Sequence, residues 1–234
     1  MKKASAVLVF ALGVTIASER PFAQAESSCA GLPTYADLKA AMITASGPTS
    51  GITGPNRGFD NEMWGTIVNR DGVVCAVVFT GPDRHAEWPG SRVISAQKAN
   101  TANAFNLDHL AISTANLYPL VQPGASLFGL QESNPVATDV AYKGPASNYG
   151  MPTDAMVGEK IGGVNVFGGG LGLFKNGKVI GGLGVSGDTS CADHNIAWKA
   201  RKLLGLNATP NSDNISYGPG AHPFCVGGET PPAP

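Results

Sequence analysis

Hydrophobic positions change period several times along the chain, and each change predicts an element. Leu38, Ala41, Met42 and Ala45 recur at helical spacing, which predicts a helix over Tyr35–Ala45 with Thr34 as its N-cap. A Gly/Pro/Ser/Thr-rich stretch, 46–57, breaks that pattern. Met63–Asn69 and Val73–Thr80 are β-like runs joined by Arg70-Asp71-Gly72. Asp-Gly between apolar runs signals a hairpin, because both residues tolerate positive φ. Ile94, Ala99, Ala102 and Phe105 restore a helical period over Ser91–Phe105, with Lys98 among them. Residues 106–163 then lose regular periodicity and carry Pro119, Pro123, Pro135, Pro145 and Pro152. So long an irregular stretch in a compact domain is usually functional or used in assembly. Beyond it Val164–Phe167, Leu171–Phe174 and Lys178–Val185 read as strands, the last two joined by the type I′ pair Asn176-Gly177. A final amphipathic run, Ser190–Leu204, predicts a helix stopped by Gly205, and a Pro/Asn/Gly-rich tail follows.

The third of these strands carries Gly182-Leu-Gly184-Val-Ser-Gly187, a complete G-x-G-x-x-G ahead of a helix. A dinucleotide fold requires parallel strands on both sides of that helix and an acidic residue about 20 positions on. Here the preceding strand belongs to a hairpin, no strand follows the helix, and Asp213 falls in the tail. The glycines are therefore read as structural. Gly181, Gly182 and Gly184 bare the strand so that a backbone, a helix or a flat ligand can approach it. Ser190-Cys-Ala-Asp193 is a capping-box variant, predicting Ser190 as N-cap with Asp193 returning to its backbone.

Residues 1–25 carry a basic start (Lys2, Lys3), an apolar run Ala4–Ala17 and Ala23-Gln24-Ala25, the pattern of a signal peptide. The expected organisation is a signal peptide over 1–25, one domain over 26–206 with a long insert at 106–163, and a tail over 207–234. No stretch is long and apolar enough to span a bilayer. The protein is thus expected to be secreted or periplasmic. Its net charge of −1, with no basic run, argues against nucleic acid as a partner.

Four cysteines, Cys29, Cys75, Cys191 and Cys225, suggest two disulfides, for which three connectivities exist. Metal-binding spacings such as C-x-x-C are absent. Ala192, Ile196, Ala200, Leu203 and Leu204 form the core stripe of the last helix, and Cys191, His194, Trp198 and Arg201 line a second one. Pairing Cys191 with Cys225 would lay His222, Pro223 and Phe224 over that second line, burying Trp198. Cys29 would then pair with Cys75.

The stretch "VNVFGGGLGLFKNGKVIGGLGVSGDTSCADHNIAWKA" resembles the GlcG/HbpS family of small haem-binding proteins, also found as the C-terminal domain of PduO-type proteins. Gly168, Gly169, Gly181, Gly184, Val185, Ser186, Gly187 and Asp193 carry the likeness. Further upstream, "NRDGVVCAVVFTG" resembles the family's first hairpin and "SAQKANTANAF" its helix, Lys98 matching the family lysine. The resemblance implies an α/β (α+β) profilin-like sandwich: an antiparallel sheet of about five strands flanked by helices, assembled as a homo-oligomer. It also implies haem as cofactor, so the chain is read as an exported protein binding haem or another small planar or anionic ligand. An enzyme or enzyme accessory acting on a small oxidised metabolite is the alternative, as is a purely oligomeric assembly module.

Haem binding requires an apolar slot, an axial donor and cations for the propionates. The expected ligand-binding set is Lys98, His109, Gly168, Gly169, Gly184, Ser186 and Asp193, placed between the glycine-rich strand, the last helix's N-terminus and the Lys98 helix. His109 and His194 are weak axial candidates, and His85 and His222 are read as a solvated loop residue and a tail residue. Against these roles stand structural ones: Lys98 as a helix lysine with a buried stem, Asp193 as a helix cap. No catalytic constellation has local support.

Overall fold

The computed structural model describes residues 28–47, 54–208 and 212–233, so the signal-peptide segment lies outside the described residues. Helix α1 spans Tyr35–Ser46. Thr34 Oγ1 accepts the Asp37 N–H, and the Asp37 carboxylate accepts the Thr34 N–H, a reciprocal cap that fixes the helix start. Leu38, Ala41, Met42 and Ala45 form its buried face. Strands β1 (Trp64–Asn69) and β2 (Val74–Phe79) pair antiparallel. Between them Asn69 Oδ1 accepts the N–H groups of Asp71 and Val73, each at 2.9 Å, and Gly72 alone takes a positive φ, +76°.

Helix α2 spans Ser91–Phe105, as its apolar spacing predicts. The 106–163 insert holds two single-turn helices, α3 (Thr114–Leu117) and α4 (Thr138–Ala141), among 3-10 turns. Strands β3 (Gly170–Lys175) and β4 (Lys178–Ser186) follow, and Asn176 (φ 52°) and Gly177 (φ 73°) supply the two positive φ angles of their tight turn. Helix α5 covers Ser190–Leu203. The described residues form one four-stranded antiparallel sheet in the order β2-β1-β4-β3. One expected strand is missing from it. Val164–Phe167 stays irregular because α2 side chains take its backbone groups: Asn100 Nδ2 donates to Gly163 O at 2.8 Å, and Thr101 Oγ1 accepts the Asn165 N–H at 2.9 Å.

The two faces of the sheet are built differently. Ile67, Ala76, Val78, Leu171, Leu173, Leu183 and Val185 face α1 and α5 across an apolar core completed by Met42, Ile196 and Trp198. On the other face Trp64, Val68, Val74, Val77 and Phe79 pack with Ala96 and Ala99 of α2 and with Met156 and Ile161 of the insert. Beneath α2 the rest of that face is Thr66 and glycine. Gly170 pairs with Gly184 across β3 and β4, and Gly172 with Gly182. A Cβ built on Gly184 would overlap the Ser95 carbonyl oxygen, and one on Gly182 the Ala99 carbonyl oxygen. The G-x-G-x-x-G glycines thus let α2 rest backbone to backbone on the sheet. Thr66 Oγ1 and Ser95 Oγ share a hydrogen bond of 2.7 Å inside the same contact.

Two disulfides tie the described segments around Cys29 and Cys225 to the sandwich. Cys29 is bonded to Cys75 in β2 and Cys191 in α5 to Cys225 in the tail, with Cα separations of 5.6 and 6.1 Å. Closing a loop of 34 residues stabilises a fold by about 3–4 kcal/mol in the chain-entropy model. No helix among the described residues is long and apolar enough to cross a membrane.

The glycine floor makes a sharp prediction. Gly184→Val should lower unfolding free energy by about 3 kcal/mol or more, because the added carbons meet helix backbone that has nowhere to move. Gly177→Ala should cost only about 1 kcal/mol, the strain of a left-handed residue in an open turn. Chemical denaturation of the two variants checks the difference, and equal losses would contradict the packing argument.

Candidate ligand site

Six of the seven sequence-predicted site residues converge at one end of β4. Lys98 leaves α2 and places Nζ 2.6 Å from Asp193 Oδ2 and 3.1 Å from the Val185 carbonyl oxygen. Lys98 is 1% exposed and Asp193 2%. Asp193 Oδ1 accepts the Asp188 N–H at 3.0 Å. Gly169 lies against the pair: its φ of +117° suits glycine, and a Cβ there would stand 3.1 Å from Lys98 Nζ and overlap Val185 O. Gly168 faces the first turn of α5, Ser186 ends β4 opposite Trp64, and Gly184 lies beneath α2. The seventh residue, His109, is exposed on the Leu107–Leu110 turn. Its neighbour Asp108 pairs with Lys178 at 2.7 Å, at the hairpin end of β3 and β4.

This cluster is closed. The Lys98 cation is already neutralised by Asp193, and the glycine face that would admit a flat ligand holds α2. Burial pushes the Asp193 carboxyl up to about 6, against the pull of the Lys98 ammonium. The cap of α5 also differs from its sequence pattern. Thr189 is the N-cap, its Oγ1 accepting the Ala192 N–H, which turns Asp193 toward Lys98 and frees Ser190.

The freed Ser190 meets the tail. His222 Nδ1 donates to the Pro223 carbonyl at 2.8 Å, so Nε2 is the acceptor, receiving the Ser190 hydroxyl at 3.3 Å and the Gly168 N–H at 3.4 Å. His222 is buried, and burial lowers its pKa. His194 is wholly buried too; its Nε2 accepts the Ile215 N–H, and burial with the nearby Arg201 charge pushes its pKa down to about 3. Both Nε2 atoms are engaged as acceptors, and His194 Nδ1, which has no hydrogen-bond partner among the described residues, is buried away from the surface.

Beside the closed cluster runs a row of rings, exposed at its two ends and buried at His222 in the middle. Phe167, 43% exposed, sits 6.0 Å from Tyr118, whose ring is 5.3 Å from His222. Tyr217 stands edge-on to His222 at 6.3 Å and stacks on Phe224, 49% exposed, at 5.2 Å. The insert, the turn before β3 and the tail each contribute to this row. A separate cleft of about 100 Å³ near Lys39, Arg84 and Tyr149 is smaller than the roughly 300–1,000 Å³ of organic-ligand pockets.

Sequence reasoning missed two buried ion pairs and a carboxyl. Arg92 forks onto Asp154 of the insert, with Nε–Oδ2 2.9 Å and Nη2–Oδ1 2.5 Å, and stacks over Tyr149 at 3.6 Å. Arg201 forks onto Asp213 of the tail at 2.5 and 2.9 Å and donates to Gly172 O. Glu87, 6% exposed, accepts the Ser91 hydroxyl at 2.5 Å. Burial, aided by the Asp193 charge, pushes its pKa up to about 7. Only the Glu87–Ser91 spacing, four residues apart, had a local signal.

A four-stranded antiparallel sheet with helices on both faces defines a mixed α/β sandwich, and the comparisons agree. The family model described as "Haem degrading protein HbpS-like" matches residues 62–202, more than half the chain. The chain belongs to this HbpS-like family. The structure of the PduOC–haem complex is 24% identical, covers 74% of this chain and 93% of its own, and superposes with a TM-score of 0.50. Klebsiella pneumoniae ORFY is 23% identical over 74% of this chain and 90% of its own, with a TM-score of 0.48. A double mutant of Streptomyces reticuli HbpS is 15% identical over 87% and 99%, with a TM-score of 0.45. No curated protein sequence matches at the threshold applied.

Two predictions follow from the buried charges. Asp193→Asn should destabilise the fold by about 3–5 kcal/mol by leaving the Lys98 ammonium buried without its counter-charge, measured by urea titration. Glu87 carries a raised pKa, so folding favours its protonated form. That stability is complete below about 4.5 and is lost as pH rises through about 7. His194 acts in the opposite sense, losing stability as pH falls from 6.5 toward about 3. Asp193, raised to about 6, acts in the same sense as Glu87, and both it and His194 are kept in the variant. Glu87→Gln should therefore raise the melting temperature at pH 8 relative to that at pH 5 when compared with the parent. An unchanged difference between the two pH values would remove Glu87 from the account.

Proposed function

We propose that this protein binds haem, or a planar tetrapyrrole of the same kind, on the row of aromatic rings beside the Gly168–Gly169 turn. Membership of the HbpS-like family over residues 62–202 carries this reading. The residues fit a flat macrocycle at that surface better than inside the sandwich. Phe167 and Phe224 present exposed rings, Tyr118 and Tyr217 extend them, and the buried Tyr217 hydroxyl has no hydrogen-bond partner among the described residues. Bound haem would supply redox and oxygen chemistry. This chain's own contribution is an apolar stacking face held rigid from behind. Lys98 and Asp193 then act as positioning residues, fixing the Gly168–Gly169 turn from which Phe167 projects. His109, at the far end of the β3–β4 hairpin, is the exposed imidazole among the axial candidates and marks a second surface to test.

The two disulfides favour an oxidising compartment and support export of the protein. Assembly into a homo-oligomer is part of the same proposal, with Phe128, 66% exposed, and Leu120 of the insert as apolar surface for it. Light scattering giving only the monomer mass at micromolar protein would reject that part.

Haem titration followed by the Soret band tests the function. The parent chain should bind stoichiometrically, and Phe167→Ala should weaken binding by about 1 kcal/mol, several-fold in affinity. His109→Ala should leave affinity unchanged if the aromatic row is the site. If Phe167→Ala binds as the parent does and His109→Ala does not, the site belongs to the His109 surface. No Soret shift in the parent chain rejects haem binding. Bleaching of the bound haem under reductant and oxygen would point to the enzymatic alternative.

A further inference from the structure

The Cys191–Cys225 disulfide stands in unusual company. Cys191 Sγ, Cys225 Sγ and a ring nitrogen of His222 lie within 4.8 Å of one another. His222 Nδ1 is 4.0 Å from Cys191 Sγ, and Ser190 Oγ is 3.5 Å from Cys225 Sγ and 3.3 Å from His222 Nε2. The Cys191 N–H, in the first turn of α5, points at Cys225 Sγ from 3.2 Å. Two sulfurs, an imidazole and a hydroxyl therefore surround one point, and the S–S bond keeps the two sulfurs from acting as separate donors. Cys29–Cys75 has no comparable group among the described residues.

We propose that reducing Cys191–Cys225 converts this corner into a binding site for a borderline-soft divalent cation such as zinc, with Cys191, Cys225 and His222 as ligands. A small dithiol delivers two electrons and two protons, the S–S bond breaks, two thiols form, and the dithiol closes to its own disulfide. The cation then displaces both thiol protons to the solvent. Tetrahedral zinc with Zn–S near 2.3 Å and Zn–N near 2.0 Å sets its ligands about 3.5–3.8 Å apart. Two reduced sulfurs in van der Waals contact, and a nitrogen now 4.0 Å from one of them, are close to that spacing. His222 must give up the Nδ1 hydrogen bond to Pro223 or the Nε2 bond to Ser190 to join. Ser190 or water completes the coordination.

The test uses the full chain reduced with a phosphine and titrated with Zn²⁺ against a chromophoric chelator, with Co²⁺ as a spectroscopic probe. The reduced chain should bind one Zn²⁺ and show a thiolate-to-cobalt charge-transfer band, whereas the oxidised chain should bind none. A Cys29→Ser/Cys75→Ser variant should retain the site after reduction, and Cys225→Ser and His222→Ala should each reduce binding to background. Zinc bound no better by the reduced parent than by reduced Cys225→Ser overturns the proposal. So does a His222→Ala variant that binds like the parent. If the Cys29→Ser/Cys75→Ser variant does not fold, circular dichroism shows it, and the reduced parent's one equivalent against none decides. Haem plays no part in these readouts, so their failure is separable from failure of the haem reading.

Discussion

A helix lying directly on the backbone of a sheet is the constraint from which the rest of this structure follows. Where β4 carries Gly182 and Gly184, nothing but hydrogen separates the strand from the α2 backbone, and Gly170, paired with Gly184 on β3, leaves room for Thr114 and the Lys98 carbonyl. That closeness lets the Lys98 side chain pass the end of β4 and reach α5 on the opposite side of the sheet. Asp193 turns inward to receive it, which moves the α5 cap to Thr189 and releases Ser190 toward the tail. The Gly168–Gly169 turn is in turn moulded around the same ion pair. A bulkier strand would hold α2 off the sheet, and each of these contacts would fail in order.

Three buried ion pairs divide the work of holding what the strands do not. Arg92–Asp154 holds the insert to α2, Lys98–Asp193 joins the helices on opposite faces, and Arg201–Asp213 holds the tail to α5. Such pairs offset little more than their own desolvation, so their value lies in geometry rather than net stability. Each bidentate arginine admits one approach of its partner and so fixes where a segment without regular structure must lie. The aromatic row exists because two of those segments, insert and tail, are held side by side.

Much of this was legible in the chain, and the limits are physical. Local signals worked where one residue's chemistry acts on its neighbours: the Thr34 cap, the Asn176-Gly177 turn and the period of Ser91–Phe105 stand where the pattern put them, and of the α5 stripe Ala192, Ile196 and Ala200 are buried while Leu203, in the last turn, is exposed. The disulfide pairing followed from burying Trp198, whose Nε1 now donates to Ala233 O at 3.0 Å. Val164–Phe167 misled because its alternation is that of a strand while its hydrogen-bond partners are side chains of α2. Bare glycines on a strand announce close approach but not what approaches, and here it is a helix. Lys98 and Asp193 were both singled out as site residues, yet their mutual neutralisation joins positions 95 apart in sequence. Asp154 and Asp213 have no local mark at all, since a buried carboxylate in a loop looks like any solvated one until its arginine is in place.

The positions of the two disulfides also decide how this protein would answer to mechanical load. Pulling on the described ends does not peel them, because Cys29 is anchored in β2 and Cys225 in the first turn of α5. Tension bypasses the tail beyond Cys191 and enters the molecule at an outer strand on one side and a helix on the other. The chain between each pair of bonded cysteines, β1 and most of α5 included, is shielded from that tension as long as the disulfides last. A chain pinned in this way takes load at Cys75 and Cys191, and not at the segments that those cysteines close off.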